Sequence, residues 1–173
     1  MELWDVLTAE GKPTGRTMVR GGNVIKANEY HLVVHIWPLN DYGSLLIQKR
    51  TKTKRLMPGI WAATGGAAIA GETSAIAAAR ELGEELGIRV KPEDLRLVKR
   101  IKRKNSFIDM WTVRVNVRVP ELQLQKSEVA EAKWVNKATL MNMVASGEYH
   151  DYGREYFNLV YGLVDEIKNE KED

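Results

Sequence analysis

Gly66–Ile88 reads GAAIAGETSAIAAARELGEELGI. Glu72 follows Gly66 after five residues, and seven more separate it from Arg80-Glu81-Leu82-Gly83-Glu84-Glu85-Leu86-Gly87-Ile88. Thr73 or Ser74 is suited to cap a helix, the alanine-rich interior favours one, and Gly87 is suited to stop it near Leu86. At 100° per residue Glu81, Glu84 and Glu85 share one arc of that helix. Ala75, Ala79, Leu82 and Leu86 share a neighbouring arc and are expected to face the core. Like charges three and four residues apart repel, at a cost of about 0.2–0.5 kcal/mol per pair on an exposed helix. Arg80 can neutralise one of them, and a hard divalent cation can bind the others. A solvated acidic face is the plain alternative.

Taken together, the glycine, glutamate, arginine and closing glycine match the Nudix box, G-x5-E-x7-R-E-U-x-E-E-x-G-U with U aliphatic, at every defined position. Residues around 28–65 and 127–136 also resemble the flanking strands of that superfamily. The resemblance implies an α/β fold, an α/β/α sandwich around a mixed β-sheet, in one domain over residues 1–173 with the box at 66–88. It implies a metal-dependent hydrolase that cleaves a diphosphate linkage in a nucleoside diphosphate derivative, using Mg²⁺ or Mn²⁺. By the same analogy Glu81, Glu84 and Glu85 are metal ligands, one of them serving as general base. The backbone carbonyl of Gly66 is a further ligand. Arg80 orients the carboxylates, so the catalytic set is Glu84, Glu81 and Arg80. Glu72 fixes the loop–helix geometry and is grouped with the substrate-binding candidates. Such chemistry needs charge stabilisation and in-line positioning more than a protein nucleophile.

The segment EYHLVVHIWPLNDYGSLLIQKRTKTKRLMPGIWAATGGA, residues 29–67, resembles the isopentenyl-diphosphate isomerase branch. His31, Gln48-Lys49-Arg50 and Pro58-Gly59-x-Trp61 occupy matching places. That branch carries a catalytic cysteine and a metal-binding histidine just after the tryptophan, where this chain has Ala62-Ala63-Thr64-Gly65. Hydrolysis is therefore expected rather than alkene protonation. A non-catalytic nucleotide-binding module is the alternative from another class.

Outside the box, Arg50 and Lys54 stand out from the basic run Arg50–Arg55 as phosphate contacts, against a solvated loop. Lys99–Lys104 is expected to be surface. Glu128 is the candidate for a further metal ligand or base, with Glu131 behind it. His31 and His35 lie on one side of a strand and read better as core groups than as ligands. Trp61 reads as core, His150 as surface.

The 173 residues suffice for one domain with a core. With 26 basic and 23 acidic residues the net charge is +3, too mild for a general nucleic-acid binder. There is no cysteine, which excludes disulfides and thiol chemistry. No apolar run reaches membrane-spanning length, and MELWDVLTAEGK lacks a signal-peptide core. A cytoplasmic protein, a homodimer by superfamily habit, with no nucleic-acid or membrane partner is expected.

Strands are expected at Met1–Leu7, His31–Leu39, Ser44–Lys49, Leu97–Ile101, Ile108–Val119 and Ala130–Val135, and helices at Lys137–Val144 and Tyr152–Ile167. Ala9–Gly15 reads as a turn, Met57–Thr64 as a loop, and Thr17–Ala27 carries no clear pattern. The charged residues 169–173 are expected to fray.

Overall fold

The computed structural model describes residues 1–22 and 25–172. The apolar run His31–Leu39 forms the central strand β3. Its side chains alternate between two cores, as a strand covered on both faces requires. Val34 and Ile36 face one, Trp37 and Leu39 the other. β3 runs parallel to β8 (Ser106–Arg114), and β8 pairs antiparallel with β7 (Arg96–Lys102). On its other side β3 meets β4 (Leu45–Arg50) only through Leu39 and Leu45. The two strands then separate. β6 (Thr64–Ala67) takes the free edge of β3, while β5 (Trp61–Ala62) and β9 (Val129–Val135) pair with β4. The sheet is thus mixed, with a split at its centre.

α1 (Ser74–Leu86) covers one face. Thr73 accepts from the Ile76 N–H at its start, and Gly87 closes it in the left-handed conformation. Ala77, Ala78, Leu82 and Leu86 are buried against Val34, Ile36, Leu46, Val113 and Val129. Each buried leucine contributes about 1.5–3 kcal/mol. α2 (Lys137–Ser146) and α3 (Arg154–Glu170) cover the opposite face, packing Leu140, Met143, Phe157, Val160 and Leu163 on Trp37, Leu45 and Ile47. The result is a helix–sheet–helix sandwich. A separate two-stranded ribbon, β1 (Leu3–Leu7) with β2 (Pro13–Val19), lies against the loop before α1 through Ala70 N to Leu3 O at 2.8 Å and Gly71 N to Asp5 at 2.8 Å.

Several expectations change. Ala75 and Ala79 are only half-buried, and the inward stripe runs through Ala77, Ala78, Leu82 and Glu85. The helix is rotated because donors on the sheet receive the Glu85 carboxylate. β8 ends at Arg114, not Val119, because both neighbours run out: Leu39 ends β3 opposite Arg114, and β7 begins at Arg96 opposite Thr112. Pro13–Val19 is a strand in place of the tail of a turn. Within the expected loop Met57–Thr64, Trp61–Ala62 is a strand paired with β4, and Thr64 opens the strand Thr64–Ala67, to which β3 supplies the partner edge. The patternless segment 17–27 partly completes β2, and residues 23 and 24 lie outside the described residues. α3 continues through Glu170, where Arg114 pairs with Glu170 at 2.6 Å, so the helix enters the segment expected to fray. Among the described residues no helix is long and apolar enough to cross a membrane.

Gly65 is required by space. A Cβ there would lie 1.9 Å from Val34 O. Gly65→Ala should therefore lower unfolding free energy by on the order of 1–3 kcal/mol in urea titrations. A wild-type midpoint would contradict this close approach.

Candidate active site

The helix carries its three carboxylates at three depths. Glu84 is 51% exposed and Glu81 13% by side chain, while Glu85 is 4% exposed as a residue. Glu85 points into the split between β3 and β4. Its Oε2 accepts from Gln48 Nε2 on β4 at 2.8 Å and from the Gly65 N–H on β6 at 3.1 Å. Thr64 Oγ1 donates to Gln48 Oε1 at 3.0 Å. Burial pushes the Glu85 carboxyl up to about 8, and the Glu81 and Glu128 charges push the same way against the two donors. Burial also raises Glu81, against the pull of Arg80.

Arg80 organises the outer carboxylates. Its Nε and one terminal nitrogen grip Glu72 at 2.7 and 3.0 Å. The other terminal nitrogen reaches Glu81 at 3.0 Å and Glu84 at 3.2 Å. Glu72 also accepts from the Ile69 N–H at 2.8 Å. Burial pushes Glu72 upward, but the Arg80 hydrogen bonds bring it below the ordinary carboxylate range. Both Glu72 oxygens are engaged within the protein, so Glu72 fixes the loop on the helix and leaves the substrate-binding set.

Glu128 arrives from a distant part of the chain. Gln123 N and Gln125 N donate to Leu86 O and Glu85 O at 3.1 and 3.0 Å, satisfying carbonyls at the end of α1. This docking sets Glu128 near enough to Glu85 to raise it. Glu131 instead stands at the surface, 60% exposed and 3.6 Å from Lys49. Lys54 is paired with Glu128, so this predicted phosphate contact is occupied by a predicted metal ligand. Arg50 donates from Nε to Leu56 O at 2.9 Å, shaping the basic loop.

Gly66 is also corrected. It lies opposite Val34, and Ala68 N, two residues on, donates to Leu32 O of β3 at 2.9 Å. Alternation turns the Gly66 carbonyl toward β3 and away from the carboxylates. What brings Gly66 into the site is its missing side chain: a Cβ would sit 2.5 Å from Glu81 Oε1. Gly65 presents the open edge.

Sequence reading assigned no role to Gln48, Thr64 or Gly65. A glutamine directly after Leu45-Leu46-Ile47 was the available signal, because a polar side chain buried in such a strand needs a partner. His35 is a buried group, as expected, whereas His31 is only half-buried and bonds Asn105 O. His35 bonds Tyr156 Oη at 2.8 Å, and burial brings it down to about 3. His31 stacks on Trp4 at 4.4 Å. Trp61 is buried, with Lys133 Nζ 4.4 Å from its ring centre. His150 is half-buried against Tyr152 rather than fully surface.

Hard carboxylate oxygens, with no cationic partner at the buried end, fit a divalent cation such as Mg²⁺ or Mn²⁺. Glu85 has only neutral donors, and the charges near it repel its own. Among the described residues no three acidic or histidine side chains form a ready metal cluster. Arg80 pairs with Glu81 and Glu84, and Lys54 with Glu128.

The NUDIX domain family model matches residues 29–154. An uncharacterised Nudix hydrolase of Listeria monocytogenes is 40% identical over 162 residues, covering 92% of this chain and 95% of its own. An isopentenyl-diphosphate Δ-isomerase of Klebsiella pneumoniae is 29% identical over 125 residues, covering 67% and 66%. The crystal structure of DR0079 from Deinococcus radiodurans has the same fold, with a TM-score of 0.76 at 21% identity over 94% of this chain and 99% of that one.

A carboxyl raised by folding binds its proton more tightly in the native state, so its contribution is full below the unfolded value and fades as pH rises through the folded one. Metal-free protein should lose stability as pH climbs from about 4.5 to about 8. Glu85→Gln should flatten that slope in urea melts at several pH values. An unchanged slope in the variant would count against a buried Glu85.

Proposed function

The chain belongs to the Nudix hydrolase family, and from that premise we propose that it hydrolyses a diphosphate linkage in a nucleoside diphosphate derivative or related small molecule. The metal is Mg²⁺ or Mn²⁺, held by Glu81, Glu84 and Glu85 with Glu128 beside them. One observation supports this most: a buried glutamate carboxylate at the split of the sheet, continued outward by two more on the same helix.

The bound cation supplies positive charge to the diphosphate and acidifies water. The side chains do the rest. Glu85, locked by two donors, anchors the deep end. Arg80 holds Glu81 and Glu84 in register with the loop through Glu72. Glu84, the most exposed and on the longest Arg80 contact, is the base that takes the proton from water. Arg50, anchored by its Nε, offers its terminal nitrogens to phosphate oxygens.

Isomerase activity is the second reading, prompted by the isomerase relative. The chain lacks any cysteine, and Ala62-Ala63 follows Trp61, which speaks against it. A purely binding role fits less well with three intact carboxylates and their clamp. The proposed setting is the cytoplasm and the proposed assembly a homodimer, without nucleic-acid or membrane partners.

The test is a panel of nucleotide sugars, dinucleotides, oxidised nucleotides and isopentenyl diphosphate, assayed with Mg²⁺ and Mn²⁺ for diphosphate cleavage or isomerisation. Glu84→Gln and Glu85→Gln should each lower kcat on the order of 10²-fold or more, with circular dichroism unchanged. Wild-type rates in both variants would sink the assignment.

A further inference from the structure

The two oxygens of Glu85 are not equivalent. Oε2 accepts both hydrogen bonds, from Gln48 and from Gly65. Oε1 accepts none from the described residues. Among those residues Tyr149 Oη is the only fully buried side-chain polar atom without a partner. Glu85 Oε1 is therefore not sealed from solvent. The carboxylate has an inner oxygen bound to the sheet and an outer one that is unpartnered among the described residues and touched by solvent.

Gln48 determines which oxygen is which. It is 1% exposed, on a strand whose preceding residues Leu45, Leu46 and Ile47 are buried, so its side chain has little room. A carboxylate ionised by a bound cation only accepts, so in that state the amide must turn Nε2 toward Glu85, as it does here. Its Oε1 then faces Thr64, also 1% exposed, whose hydroxyl donates to it at 3.0 Å. A flipped amide would set oxygen against carboxylate. The chain Thr64–Gln48–Glu85 spans β6, β4 and α1, the three elements that meet at the split. These are strands and a helix, so the orientation rests on rigid parts of the fold.

We propose that Gln48 and Thr64 are positioning residues of the acidic site, holding the inner oxygen of Glu85 so that the outer one faces the divalent cation. This rests on Glu85 being a metal ligand. Neither residue touches cation or substrate; each acts through Glu85, as partners behind a metal ligand do.

The experiment titrates Mn²⁺ into the metal-free full chain, without substrate, and reads free Mn²⁺ by electron paramagnetic resonance. Thr64→Val keeps the shape and removes the hydroxyl, Thr64→Ser keeps the hydroxyl, and Gln48→Met removes the amide. Thr64→Val and Gln48→Met should bind Mn²⁺ on the order of tenfold more weakly, while Thr64→Ser restores affinity close to wild type. Should Gln48→Met fail to fold, the two Thr64 variants decide. Wild-type affinity in Thr64→Val, or equal weakening in both Thr64 variants, overturns the proposal. If Glu85→Gln still loses Mn²⁺ in that case, the proposed function stands and only the positioning role is lost. Equal Mn²⁺ binding by wild type and Glu85→Gln, or none by wild type, removes both.

Discussion

A carboxylate inside a protein is costly unless hydrogen bonds replace its water. The burial of Glu85 is the constraint around which this molecule is arranged. Two donors meet it, one from a side chain on β4 and one from the backbone of β6. Both exist because β3 and β4 part after Leu39 and Leu45 and leave a mouth between them. The helix must turn so that Glu85 enters that mouth, which moves the apolar stripe from Ala75 and Ala79 to Ala77 and Ala78. Gly65 must carry no side chain, because Val34 O occupies the space.

The rest of the acidic cluster is a balance of charges. Arg80 joins the loop to the helix through Glu72 and restrains Glu81 and Glu84 with one nitrogen. Lys54 does the same for Glu128. Each of those carboxylates has a cationic partner, and Glu85 has none. Negative charge is thus least compensated at the deepest position, and that is where a divalent cation would gain most from replacing like-charge repulsion with attraction. A cation bound there would compete with Arg80 and Lys54 for the outer carboxylates.

Much of this was legible in the chain itself. The helix limits followed from Thr73 and Gly87, and β3 from a mainly apolar run interrupted by His35. The carboxylates and their arginine were visible from spacing alone. Other features were not. Thr64–Ala67 has no strand composition and becomes a strand only because β3 offers it an edge. Pro13–Val19 is exposed on almost every residue and carries no apolar alternation. Glu72 and Lys54 looked available to a substrate until their ion partners were known. Gly66 owes its place to steric room beside Glu81, a relation no spacing rule expresses.

The amino-acid order alone determined which groups could do the chemistry, because helical periodicity is local and three acids on one turn and a half need nothing distant to share an arc. Tertiary structure decided what each acid is. Depth, hydrogen-bond partners and neighbouring charge come from segments far apart in the chain: Gln48, Gly65 and Glu128 all reach Glu85 across the fold. Electrostatic character depends on distance in space and on excluded water, and neither is encoded in separation along the chain.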